Sequence, residues 1–357
     1  MPPKDPIRVL VVDDSAIARR LIVDALSNDP EIEVVGTAHN GRAALDRIAQ
    51  LSPDVVTLDV EMPELDGLQT VALLRKTNSK LAVVMCSALT ERGAITTLDA
   101  LGAGANDYIT KPSRSESVAA AVEHVRGQLV RKVKALGRRA TALPALESPP
   151  RVDVAAPPAP PRPSASALFS GGLIAIGAST GGPAALAELL PKLAREVTLP
   201  IVITQHMPPV FTTQFAARLA KLSGIPVREA AHGDRVAPGT AWVAPGDHHL
   251  TVENDGPELR IAIHQGPPEN FCRPAVDVMF RSVAAACGRR VIAVVLTGMG
   301  QDGCLGARDI RAAGGQVLAQ DEASSVVWGM PGAVVRAQLA DRVLPLDQLD
   351  AEIAHRA

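Results

Sequence analysis

Leu173-Ile174-Ala175-Ile176-Gly177 has no polar side chain and leads straight into Ala178-Ser179-Thr180-Gly181-Gly182-Pro183. A short apolar run with β-branched residues, closed by glycines, reads as a buried strand. Proline just inside the following segment suits the start of a helix, expected over residues 183–194. The turn reads as G-x-S-x-G, which sets a serine on a tight strand-to-helix bend with its hydroxyl exposed. The helix start supplies unpaired N–H groups where an oxyanion would develop. Strand, glycine turn and helix in this order predict an α/β domain with a parallel sheet, its chemistry at the carboxyl ends of the strands.

A serine nucleophile needs a base. Residues 201–204 form a second apolar strand that ends at Gln205-His206-Met207-Pro208, so His206 emerges at a carboxyl end. Residues 291–297 form a third, running into Gly298-Met299-Gly300-Gln301-Asp302-Gly303. If these strands are neighbours, Ser179, His206 and Asp302 share one rim of the sheet. A carboxylate there would fix the imidazole tautomer and stabilise its cation. The chain order Ser, His, Asp differs from three familiar hydrolase orders, which points to a different fold.

Further helices are expected over 212–222, 276–286, 306–313 and 331–337, with a strand over 316–319. Residues 227–264 read as β, with a hairpin turn at Asp255-Gly256. This half, residues 171–355, is therefore α/β with a β-hairpin insertion. His248-His249 has no evident third metal ligand and reads as a surface turn. Cys304 has no neighbour that would activate it. Asp321 and Glu322 follow a strand and read equally as site lining or solvated loop.

The first half alternates β-branched runs (7–13, 32–37, 54–59, 81–87, 107–111) with helical patterns (16–26, 41–51, 67–76, 92–101 and 115–135). Five βα units predict a doubly wound parallel sheet over residues 5–125. Asp13 and Asp14, Asp59, Ser87 and Lys111 each close an apolar run, so all five converge on the edge where such sheets bind ligands. One aspartate at a strand end often only caps the next helix. Five coinciding polar ends are harder to explain that way. Three carboxylates so close need a cation, and oxygen donors with room for water suit Mg²⁺, held by Asp13, Asp14 and Asp59. Asp59, alone on the central strand, is the candidate phosphoryl acceptor. Ser87 and Lys111 are placed to bind phosphate oxygens.

Between the halves, residues 126–170 read as a linker: a basic helix end, then a segment rich in Pro, Ala, Arg and Ser that cannot bury enough surface to fold. Arg131, Lys132, Lys134, Arg138 and Arg139 read as a solvated face. Lys and Arg total 36 against 38 Asp and Glu, giving net charge -2 over 357 residues, so nothing attracts nucleic acid or an anionic membrane. Aromatic residues are 2%, leaving little to stack on bases. No stretch reaches the about 20 apolar residues that span a bilayer. The amino terminus has no apolar signal region. The four cysteines, Cys86, Cys272, Cys287 and Cys304, form no zinc or disulfide pattern and read as core residues or bystanders. A cytoplasmic protein without membrane insertion is expected.

The strings Val11-Val12-Asp13-Asp14-Ser15, Leu58-Asp59-Val60-Glu61-Met62-Pro63, Ser87-Ala88 and Lys111-Pro112 resemble the response-regulator receiver family. That resemblance implies phosphorylation of Asp59 by a partner histidine kinase, and makes Tyr108 an aromatic switch coupled to Ser87. The second half resembles the CheB family of chemotaxis protein-glutamate methylesterases. The resemblance is carried by residues 176–183, Thr204-Gln205-His206-Met207-Pro208, Ala244-Pro245-Gly246-Asp247-His248-His249 and Leu296-Thr297 with the Asp302 loop. Gly266-Pro267-Pro268, Arg273-Pro274-Ala275-Val276-Asp277 and Trp328-Gly329-Met330-Pro331 add to it. It implies hydrolysis of γ-glutamyl methyl esters, and deamidation of glutamines, on the cytoplasmic helices of methyl-accepting chemoreceptors. The triad would be Ser179, His206 and Asp302, with the Met299 N–H in the oxyanion hole and Thr180 supporting the site. It further implies that the unphosphorylated receiver covers the esterase cleft.

Other readings compete. The glycine turn at 177–182 superficially resembles a dinucleotide-binding loop. A short-chain dehydrogenase would need a Tyr–Lys pair in this half, yet the single tyrosine, Tyr108, lies in the other. A receiver fused to a DNA-binding domain would need a compact basic helix-turn-helix, which the second half lacks. An inactive scaffold fits poorly with three triad residues all present.

Overall fold

The computed structural model describes residues 5–78, 80–112, 118–140 and 171–357. The expected Pro-rich linker from 141 to 170 and the expected helix start at 115 lie outside them. In the first domain, β1 (Ile7–Val12), β2 (Ile32–Ala38), β3 (Val55–Asp59), β4 (Ala82–Ser87) and β5 (Asp107–Thr110) form a parallel sheet in the order β2-β1-β3-β4-β5. Helices α1 (Ala16–Ser27), α2 (Gly41–Leu51), α3 (Gly67–Thr77), α4 (Glu91–Gly102) and α5 (Val118–Ala140) alternate with the strands. Ser15, Asn40, Asp66 and Thr90 cap the first four, each accepting a hydrogen bond from an N–H of the first turn.

Helix α5 continues through the stretch expected to begin the linker. Val133 and Leu136 are buried beside Ile7 in the receiver core, and this burial carries the helix on to Ala140. Its basic residues are not all a solvated face. Lys134 pairs with Asp29 and Glu31, and Lys132 with Asp107.

The second domain is built on β6 (Leu173–Ala178), β7 (Ile201–Gln205), β8 (Val227–Glu229), β9 (Ala241–Val243) and the antiparallel hairpin β10 (His249–Asp255) with β11 (Glu258–His264). It is completed by β12 (Val291–Val295), β13 (Gln316–Gln320) and β14 (Arg342–Leu344). Seven strands form one parallel sheet in the order β14-β13-β12-β6-β7-β9-β8. The helices are α6 (Gly182–Glu196), α7 (Phe211–Ser223), α8 (Val276–Cys287), α9 (Cys304–Ala312), α10 (Met330–Arg336) and α11 (Leu346–Arg356). Thus β6 is central, between β12 and β7, and the three strands with candidate triad residues at their ends are neighbours.

Two local expectations shift. The two-residue hairpin turn is Gly256-Pro257, with Asp255 paired to Glu258, because the positive φ of 62° falls on Gly256 as the first central residue. His248-His249 is not a surface turn: His249 is 1% exposed, hydrogen-bonded to Pro267 O and Ala275 N. The β14–α11 unit carries no sequence expectation, since three strand residues give too short a period to read.

The domains share one apolar cluster. Leu98, Leu101 and Tyr108 of the receiver join Leu186, Phe211, Phe215 and Leu219. Tyr108 stacks on Phe211 with centroids 4.6 Å apart, and Arg218 pairs with Asp99. No helix among the described residues is long and apolar enough to cross a membrane.

Phe211 is fully buried, so Phe211→Ala should cost about 3–5 kcal/mol. Leu222, 45% exposed, should tolerate alanine within about 0.5 kcal/mol. Urea denaturation of the two variants checks both.

Candidate active site

Ser179 follows the last residue of β6, where Ala178 pairs with Gln205 of β7. Its N–H donates to Thr297 O at 3.1 Å. Its carbonyl accepts from Gly182 N at 2.8 Å and Gln205 Nε2 at 2.9 Å. Two glycines permit this bend. Gly181 has φ 79°, and a Cβ there would lie 2.5 Å from Val326. A Cβ on Gly298 would lie 2.9 Å from that of Ser179, so the loop after β12 reaches the serine only without a side chain. Helix α6 has no side-chain cap; Gly182 N–H is taken by Ser179 O and Pro183 has none, so Ala184 carries the free N–H of its first turn. The hydroxyl of Ser179 and the N–H of Met299 hydrogen-bond no described residue.

His206 N–H bonds to Ala178 O at 3.2 Å, fixing the histidine beside the serine turn. Its Nε2 lies 2.8 Å from Asp302 Oδ2. Asp302, 1% exposed, also accepts from Val276 N at 2.6 Å, Asp277 N at 3.0 Å and Gly303 N at 3.0 Å. It thereby caps α8, whose own N-cap position, Ala275, offers no side-chain oxygen. Burial alone would raise the Asp302 carboxyl. The His206 imidazole and the helix N–H donors outweigh burial and hold it below the usual carboxylate range. For His206, burial opposes the cation, but the hydrogen bond it donates to Asp302 and the contact with Cys272 push its pKa up to about 10.

The other ring nitrogen, Nδ1, faces Cys272 Sγ at 3.6 Å. Cys272 is therefore no bystander. The structure brings His206 and Asp302 into contact and sets Ser179 at the adjacent strand end, without a hydrogen bond between serine and imidazole. Asn270 was also not singled out by its sequence. Its amide donates to Asp302 Oδ1 at 3.0 Å and Asp277 Oδ2 at 2.9 Å, bridging two buried carboxylates. Burial and the charge of Asp302 raise the Asp277 carboxyl to about 6. The only signal was polarity beside Gly266-Pro267-Pro268, with a partner 32 residues away.

The remaining singled-out residues have structural partners. Cys304 Sγ contacts Ala333 O, and burial raises its pKa. Asp321 accepts from Ser324 in its own loop. Cys86 and Cys287 are buried.

In the receiver, carboxylate oxygens of Asp13, Asp14 and Asp59 lie within 4.8 Å of one another. Lys111 Nζ is 2.7 Å from Asp13 and 2.8 Å from Asp59. One ammonium cannot balance three carboxylates. Burial pushes the Asp59 carboxyl up to about 6; Lys111 opposes this, and the charges of Asp13 and Asp14 add to it. A hard cation with oxygen ligands suits this excess of charge, and exposed Asp14 leaves room for water. Ser87 Oγ bonds only the adjacent Ala88 O at 3.2 Å. Tyr108 is buried, and its ring partner is Phe211 of the other domain.

The two domains meet across a cleft of about 610 Å³, lined by Tyr108, Thr110 and Lys132 on one side and by His206, Phe271 and Cys272 on the other. Thr180, next to the serine, donates to Asp107 Oδ2 of the receiver at 2.6 Å, and Lys132 Nζ holds the same oxygen at 2.8 Å. Thr180 is thus tied to the receiver rather than turned toward Ser179.

A family model for CheB methylesterase matches residues 174–353, and one for the response regulator receiver domain matches residues 9–123. A protein-glutamate methylesterase/protein-glutamine glutaminase of Nocardioides sp. is 54% identical over 355 residues, covering 98% of this chain and 95% of that protein. One of the same name from Trichodesmium erythraeum is 51% identical over 351 residues and covers 98% of both. The crystal structure of the Thermotoga maritima CheB methylesterase catalytic domain matches with a TM-score of 0.52 and 39% identity, over 53% of this chain and 100% of that one.

Asp302 and Cys272 together raise the His206 pKa against burial, so Asp302→Asn should lower it from about 10. A pKa raised on folding stabilises fully below the unfolded value and ceases to as pH passes the folded one. The contribution of His206 should therefore be complete below about pH 6.5 and fade toward pH 10, and the Asn variant should show less of that dependence. NMR titration of the imidazole and denaturation across pH measure the two.

Proposed function

This chain belongs to the CheB methylesterase family, with a response-regulator receiver ahead of the catalytic domain, and from that premise we propose that Ser179, His206 and Asp302 hydrolyse glutamyl methyl esters on chemoreceptors under control of Asp59. It is a protein-glutamate methylesterase and protein-glutamine glutaminase. The observation that carries the residue-level reading is the 2.8 Å contact of His206 with buried Asp302, one strand away from the serine turn.

In this reading Ser179 Oγ attacks the side-chain carbonyl carbon, and its proton passes to Nδ1 of His206, the nitrogen that Asp302 leaves free. The developing oxyanion is met by the Met299 N–H. Collapse of the tetrahedral adduct forms the acyl-enzyme as His206 returns the proton to the leaving methoxy or amino group, which departs as methanol or ammonia. Water then repeats the sequence, releasing glutamate and restoring the hydroxyl. Ester and amide differ only in the leaving group, so one triad serves both.

Cys272, not Ser179, contacts Nδ1. That contact supports reading the docked arrangement as a resting state. A histidine kinase is the expected phosphodonor for Asp59. Mg²⁺, held by Asp13, Asp14 and Asp59, would when bound neutralise these carboxylates and the transferring phosphoryl group. Lys111 would pair with a phosphate oxygen, drawing Ser87 toward another. The Asp107–Thr180 bond and the Tyr108–Phe211 stack are the contacts such a rearrangement would loosen.

Methanol release from methylated chemoreceptor membranes tests the assignment, with Ser179→Ala expected to lose about 10³-fold or more in rate. Deleting residues 1–140 should raise activity, and a well-folded truncation with unchanged or lower activity would contradict occlusion. Asp59→Asn should abolish stimulation by a small-molecule phosphodonor while keeping basal turnover.

A further inference from the structure

Phe271 is 94% exposed, whereas Phe211, Phe215 and Phe280 are fully buried and Trp242 and Tyr108 nearly so. It sits on a turn closed by two backbone hydrogen bonds, Glu269 N to Cys272 O at 3.1 Å and Cys272 N to Glu269 O at 2.8 Å. Both central residues have positive φ, 51° for Asn270 and 62° for Phe271. This is the two-residue geometry that favours Asn followed by Gly, and a bulky side chain in the second place is strained. The ring recovers none of that strain by burial. Neither local conformation nor core packing accounts for a phenylalanine here, and strain of this kind persists where a site requires it.

The turn is also fixed relative to the chemistry. Asn270 bonds Asp302 and Asp277, Cys272 contacts His206, and Glu269 pairs with Arg281. The ring is therefore one residue removed from groups on either side of the imidazole, at the wall of the cleft that contains His206.

We propose that Phe271 is the apolar anchor for the polypeptide substrate: it contacts an aliphatic side chain about one helical turn from the esterified glutamate and so governs substrate binding, not the chemical step. An amphipathic helix offers such a neighbour three or four residues away. The proposal rests on the hydrolase reading above, and its test separates the two. In the phosphorylated full-length protein acting on methylated receptor membranes, Phe271→Gly should raise KM about tenfold or more, the order expected for losing one buried aromatic contact. Its kcat should stay within about twofold, and Phe271→Leu should recover most of the KM. Glycine relieves the turn, so the melting temperature of Phe271→Gly should be unchanged or higher. Hydrolysis of a small phenyl ester, which has no helix to anchor, should be the same in wild type and variant.

An unchanged KM with wild-type methanol release intact would overturn the anchor and leave the hydrolase reading standing. A lower melting temperature with kcat and phenyl-ester turnover falling together would also overturn it, showing that the ring supports the fold. If wild type cleaves neither substrate, the hydrolase reading fails and takes the anchor with it.

Discussion

The carboxylate of Asp302 is the point on which the catalytic domain's loops converge. It is buried, yet five donors reach it: the imidazole of His206, the N–H groups of Val276, Asp277 and Gly303, and the amide of Asn270. A buried charge is tolerated only when it is paired and hydrogen-bonded. Here the requirement is met by the strand β7, the start of α8, the loop after β12 and the 269–272 turn together. Removing any one contact leaves the others to hold an undersatisfied charge, so the site behaves as a unit.

The helix starts differ between the domains. The receiver spends its polar caps on its own helices, as at Ser15, Asn40, Asp66 and Thr90. The catalytic domain leaves α6 uncapped beside Ser179 and caps α8 from a distance with Asp302. Unspent N–H groups are the currency of oxyanion binding.

The interface connects the two sites through few bonds. Asp107 follows the loop between α4 and β5, accepts from Thr180, and is held by Lys132. Tyr108, the next residue, carries the apolar part of the contact on Phe211. Movement of β5 within the receiver thus bears directly on the residue beside the serine, without a long chain of intermediates.

Periodicity and strand-end chemistry alone established the two α/β domains, the (βα)₅ order and the residues at the strand ends, because apolar runs followed by Asp, Ser, His or Lys leave few other readings. Local sequence also marked Ser179, whose glycine turn is contiguous. It could not give the end of α5, since whether a basic helix continues depends on what Val133 and Leu136 pack against. Nor could it show the roles of Cys272, Asn270, Asp277 and Asp107, each an ordinary polar residue until its partner arrives from a distant segment. Which nitrogen of His206 meets Asp302, and what occupies the other, was likewise decided only by tertiary packing, because hydrogen-bond geometry is a property of positions in space and not of spacing along the chain.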